Sequence, residues 1–165
     1  MAAFRLFSMP RLLIGLLLAW VPFAAGAALA ADAAQVSNAW LRLPAVQDRP
    51  GGGFFTLQGG SEADALVAVT SPQVGRIEIH ETSNENGIMR MHARDSMALP
   101  AHGEVQFAPG GWHLMLFGVQ PGIKPGDKVP LTFRFRSGAE LTTEAEARAP
   151  GARGGSATGP THQHH

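Results

Sequence analysis

From residue 34 onward the chain is cut into short alternating segments by glycine and proline, with no sustained 3.6-residue period, and this pattern limits what it can fold into. Strands are expected at residues 34–43, 53–57, 65–69, 75–82, 87–92, 103–107, 112–119, 128–136 and 139–147. Asn84-Glu85-Asn86-Gly87 reads as a hairpin connection, and Pro109-Gly110-Gly111, Pro121-Gly122 and Ser137-Gly138 as turns. Many short strands at this spacing predict an all-β sandwich or barrel with little helix.

The first thirty residues follow a different logic. Arg5 and Arg11 precede the run Leu12–Phe23, and Ala-Gly-Ala-Ala-Leu-Ala follows in the small-residue pattern of a cleavage site. Residues 1–30 are therefore expected to be a signal peptide, with 31–148 forming one β-sandwich domain. The rival is an uncleaved anchor, because Leu12–Ala31 carries no charge over twenty residues. Residues 149–165, rich in glycine, alanine and proline, are expected to be a flexible tail.

The chain balances 13 Lys and Arg against 13 Asp and Glu. Losing Arg5 and Arg11 with the leader would leave 11 against 13, a net charge of −2 that gives nucleic acid no electrostatic footing. Cysteine is absent. An exported domain of this composition has neither disulfides nor thiolates, so any soft metal ligand in it must be methionine.

Histidine and methionine fall at telling places. In Trp112-His113-Leu114-Met115, residues i and i+2 of a strand share a face, so His113 and Met115 point one way and Leu114 and Leu116 the other. Met89 and Met91 share a face in the same manner, and His80 lies opposite Ile77 and Ile79 on its strand. Taken singly, such residues are more often core fillers or hydrogen-bonded histidines than ligands.

Ten residues separate His80 from Met91, twenty-one separate Met91 from His113, and one separates His113 from Met115. This His-x10-Met-x21-His-x-Met spacing closely resembles that of the PCu(A)C family of periplasmic copper chaperones. The similarity extends over about residues 34–136, including Gly126-Asp127-Lys128-Val129-Pro130-Leu131. Glu81 stands where family members often carry a methionine. Met91 is then the matched thioether and Met89 its alternative.

The resemblance implies a cupredoxin-like Greek-key β-sandwich or barrel that binds Cu(I) through His80, Met91, His113 and Met115. It further implies a periplasmic chaperone delivering copper for assembly of the cytochrome c oxidase copper site. Its partners would be copper-accepting proteins such as Sco-type thiol proteins or an oxidase subunit; the chain is expected to be a monomer and not an enzyme.

Neutral thioethers and imidazoles suit Cu(I) better than hard ions, and a blue-copper electron-transfer site is disfavoured because it needs a cysteine. Imidazole must be deprotonated to ligate, so affinity should fall between about pH 7 and 5. The carboxy-terminal His162, His164 and His165 either bind Cu(II) as a secondary site or belong to a solvated tail.

His92 is expected to be structural or exposed, His102 solvated and Trp112 mainly a packing residue. The glycines at 51–53 make no phosphate loop, since no helix is expected after them. A mononuclear copper enzyme and a metal-free β-sandwich interaction module remain as the alternatives in other classes.

Overall fold

The computed structural model describes residues 33–153, and the expectations for the 1–30 leader and for His162, His164 and His165 lie outside them. Ten strands follow one another: β1 (Gln35–Arg42), β2 (Gly51–Gln58), β3 (Asp64–Thr70), β4 (Val74–Glu85), β5 (Ile88–Arg94), β6 (Met97–Leu99), β7 (Glu104–Phe107), β8 (Trp112–Val119), β9 (Lys128–Phe135) and β10 (Glu140–Arg148). No helix occurs among the described residues. The strands run β5-β4-β8-β7-β2-β1-β10-β9-β3-β6 across one curled sheet, with a further pairing of β8 to β2.

Strand parity decides which face becomes core. Leu41, Phe55, Leu57, Leu66, Leu114, Leu116, Leu131 and Phe133 turn inward and pack into one cluster. Phe55 stacks on Phe107 with ring centroids 4.1 Å apart and meets Phe133 edge-on at 4.9 Å. Burying each of these side chains contributes about 1.5–3 kcal/mol, which lets 121 described residues dispense with disulfides.

The expected turn chemistry is present where β4 meets β5. Asn86 and Gly87 both adopt positive φ, 53° and 84°, as a two-residue primed turn requires. Asn84 Oδ1 accepts the Gly87 N–H at 2.8 Å and clamps the loop. The hairpin therefore has a fixed register, with Thr82 opposite Met91 and Asn84 opposite Met89.

Two features differ from the sequence expectation. Met97–Leu99 forms a tenth strand, short enough to be hidden in a segment with no alternation to read, and pairs with β3. Its Met97 is a core filler with 2% exposure, so it takes no part in any surface site. β4 also continues three residues beyond Thr82, to Glu85.

Candidate metal centre

The candidate site occupies the outer face of β4, β5 and β8. His80 on β4 lies directly opposite His113 on β8, one register step from Met115 opposite Glu78. Cross-strand partners project to the same side, so His80, His113, Met115 and Glu78 share one face, and Thr82 carries that face across to Met91 on β5. All four residues of the sequence motif stand on the outer side of the three strands, away from Ile79, Leu114 and Leu116 in the core.

The two imidazole rings lie 5.8 Å apart, centroid to centroid, tilted by 42°. Met91, His113 and Met115 line a cleft of about 220 Å³ whose far wall is the β1–β2 connection, with Pro44 and Pro50, and the segment at Pro150. His80 flanks that cleft through His113. Met89 lies one step further along β5, out of the cleft; it is 56% exposed and Met91 54%.

Each imidazole has one nitrogen committed and one left over. His113 donates its Nδ1–H to the Gly111 carbonyl at 2.9 Å, leaving the Nε2 lone pair unused. The same carbonyl accepts the Thr82 N–H at 3.1 Å, which ties the Pro109–Gly111 turn to β4. His80 donates Nε2–H to the Glu78 carboxylate at 2.9 Å, and its Nδ1 is buried with no hydrogen-bond partner.

An unpaired buried imidazole nitrogen carries a desolvation cost of about 1–3 kcal/mol unless something occupies it. Outer-shell carboxylates and carbonyls that fix a histidine tautomer are the usual support for metal ligands. The donor set therefore fits a metal ion. Among the described residues no group of three or more His, Asp or Glu side chains is disposed to hold one, and the further soft donors on the same face are the thioethers of Met91 and Met115. Two neutral nitrogens and two neutral sulfurs match a soft monovalent ion.

Burial is the main reason the His113 pKa falls below its ordinary value; the Gly111 hydrogen bond partly opposes this, and the His80 and Arg42 charges add to it. The His113 ring thus stays neutral near pH 7, as ligation requires. The hydrogen bond to His80 is the main reason the Glu78 carboxyl lies below the usual carboxylate range; burial opposes it, and the Arg76 and His80 charges add to the lowering. Arg76 Nη1 lies 3.3 Å from that carboxylate.

Sequence reasoning missed Glu78, Gly52 and Arg42. Glu78 has the same strand parity as His80, two residues on, and that offset was the available signal. Gly52 opposes Met115 on β8 and Arg42 on β1, and a Cβ there would meet the Phe54 ring at 3.0–3.1 Å. The glycine thus makes room for the Phe54 ring that packs over it.

The other singled-out residues fall in place. His92 faces away from Met91, with Nε2 at 3.3 Å from Glu85. His102 sits exposed in a turn at φ 53°. Trp112 is partly buried against the core, its ring 6.0 Å from Phe107.

The fold is a cupredoxin-like β-sandwich, and comparison with known proteins identifies the family. Residues 34–147 match the family model described as "Putative lipoprotein LpqE-like", and the chain belongs to that family. It is 33% identical over 115 residues to "Putative lipoprotein Lxx21020" of Leifsonia xyli subsp. xyli, covering 66% of each chain. It is also 33% identical over 84 residues to "Uncharacterized protein RP573" of Rickettsia prowazekii, covering 50% of this chain and 46% of the relative. The chain thus spans about two thirds and about half the length of these two relatives.

Among solved structures, it resembles the copper-bound PCuAC domain from PmoF2, with a TM-score of 0.60 and 23% identity, covering 71% of this chain and 93% of that one. The solution structure of CuI-DR1885 from Deinococcus radiodurans gives a TM-score of 0.55 at 23% identity, covering 68% and 78%. These likenesses establish the shared fold.

Proposed function

We propose that this protein is a copper chaperone that holds Cu(I) between His80 Nδ1, His113 Nε2 and the sulfurs of Met91 and Met115. The observation that carries this reading is the pair of neighbouring imidazoles, each with one nitrogen held by a protein acceptor and the other free, the one on His80 buried without a partner. A metal-free interaction module gives that buried nitrogen no purpose. The structural relatives, among them the copper-bound PCuAC domain from PmoF2 and CuI-DR1885, support the same ion.

Four uncharged donors hold a monovalent ion without thiolate tightness, so the ion can pass to a cysteine-bearing acceptor. The acceptor would belong to assembly of an oxidase copper site, a Sco-type thiol protein or an oxidase subunit, as the resemblance implies. Copper is cargo here and no catalysis is assigned. Export to the periplasm accords with the leader-like residues 1–30 and the family description, although this sequence has no cysteine to carry a thioether-linked lipid.

Competition for Cu(I) against a colorimetric chelator tests the reading. The wild-type chain should retain one Cu(I) and the His113→Ala chain should yield it to the chelator. Unchanged retention by His113→Ala would overturn the assignment.

A further inference from the structure

The sheet face that carries the candidate ligands continues past them into a cationic groove. Met115 on β8 opposes Gly52 on β2, Gly52 opposes Arg42 on β1, and Arg42 opposes Arg148 on β10. With strands about 4.8 Å apart, Arg42 stands about 10 Å from the Met115 strand and Arg148 about 14 Å. A Cβ on Gly52 would lie 3.5 Å from Arg42 Nη2, so the guanidinium leans over the glycine towards Met115. Arg42 lines both the ligand cleft and the groove beyond it.

The groove encloses about 930 Å³. Its charged side chains are Arg42, Lys128, Arg148 and Arg153 against Glu146, four cations to one anion, in a chain whose charges cancel overall. Beneath them Trp40 and Phe54 stack at 4.4 Å on the outer face, separate from the main core. Arg148 lies over the Trp40 ring at 4.9 Å and Arg42 over Phe54 at 5.2 Å. Stacking fixes the guanidinium planes while their N–H edges remain available for carboxylates. Glu146 engages Arg148 alone, at 3.5 Å.

We infer that this groove docks an acidic segment of the protein that takes the copper, holding the acceptor's ligands beside His113 and Met115. The inference rests on the copper-chaperone reading for its purpose, and on charge complementarity for its occupant. Residues 154–165 contain no Asp or Glu, so the chain's own carboxy terminus does not complement it. On the opposite flank of the cleft, the exposed Met89 and Met91 are uncharged. An acidic partner is thus steered to one side of the metal and oriented by it.

Two synthetic peptides, each bearing Cys-Ala-Ala-Cys beside either four glutamates or four glutamines, provide the test. Cu(I)-loaded protein at low ionic strength should transfer to the glutamate peptide about tenfold faster, with the advantage shrinking as salt screens it. Lys128→Glu/Arg153→Glu, at two exposed positions outside the ligand cleft, should abolish that preference and leave Cu(I) affinity unchanged. Equal rates for the two peptides, or a preference that survives in the variant, would overturn the inference.

Titration of the apo protein with the glutamate peptide separates this from the copper assignment. The Trp40 indole N–H resonance should shift in the wild type and not in the variant, whether or not the chain holds Cu(I). An unmoved Trp40 signal would also overturn it.

Discussion

The β4–β8 pair and the β5 edge strand place candidate donors in and beside the same cleft but treat them differently. His80 and His113 are well covered, held at a directly opposed register and locked by Glu78 and Gly111. Met91 stands on the sheet's outermost strand, more than half exposed, beside an equally exposed Met89. One half of the site is preorganised and the other is adaptable. In the proposed carrier that division would let the fixed imidazoles set where copper sits while a flexible thioether lets go first.

Removing a fixed donor should hurt most. Replacing His80 by Ala is expected to weaken Cu(I) binding by about a hundredfold, or about 2.8 kcal/mol, in chelator competition. A variant equal to wild type would erase the contrast between the two halves. The Glu78→Gln change should weaken binding by about tenfold, the lower end for loss of an outer-shell partner, and should alter the 15N shifts of the His80 ring in the apo protein. Ring shifts identical to wild type would show that Glu78 does not hold the tautomer.

On the adaptable half, Met91→Ala should cost less than His80→Ala, because Met89 lies on the same face of β5 two residues away. The double variant Met89→Ala/Met91→Ala should then lose more than the sum of the two single losses. Strict additivity would remove Met89 from the account.

The smallest expected effect is in the pH dependence of folding. His113 is held neutral in the folded state, whereas the unfolded chain protonates it near pH 6.5. The unfolded state therefore binds the extra proton, and apo stability falls as pH drops below about 6.5 towards the folded-state pKa. His113→Gln should flatten that part of the slope in denaturant titrations between pH 7.5 and 5.5. The Glu78 contribution lies in a separate window: it is present above the unfolded value of 4.5 and lost as pH falls through the depressed folded one.

Much of this was legible in the chain itself. Two-residue parity at Trp112–Leu116 separated His113 and Met115 from Leu114 and Leu116 correctly, because a half-buried strand writes its two faces into alternate residues. The Asn86-Gly87 turn was equally readable from its chemistry. What the sequence could not convey was register between strands. That His80 opposes His113, that Gly52 opposes Met115, and that Arg42 reaches from β1 over Gly52 depend on pairings between strands distant in sequence. β6 escaped notice because three residues are too few to display a period.

The central claim is a Cu(I) site of two imidazole nitrogens and two thioether sulfurs. X-ray absorption at the copper edge of the Cu(I)-loaded protein measures that donor set directly. Two nitrogen and two sulfur scatterers are expected, with one sulfur lost in Met115→Ala. A shell of nitrogen and oxygen alone, unchanged in that variant, would contradict it.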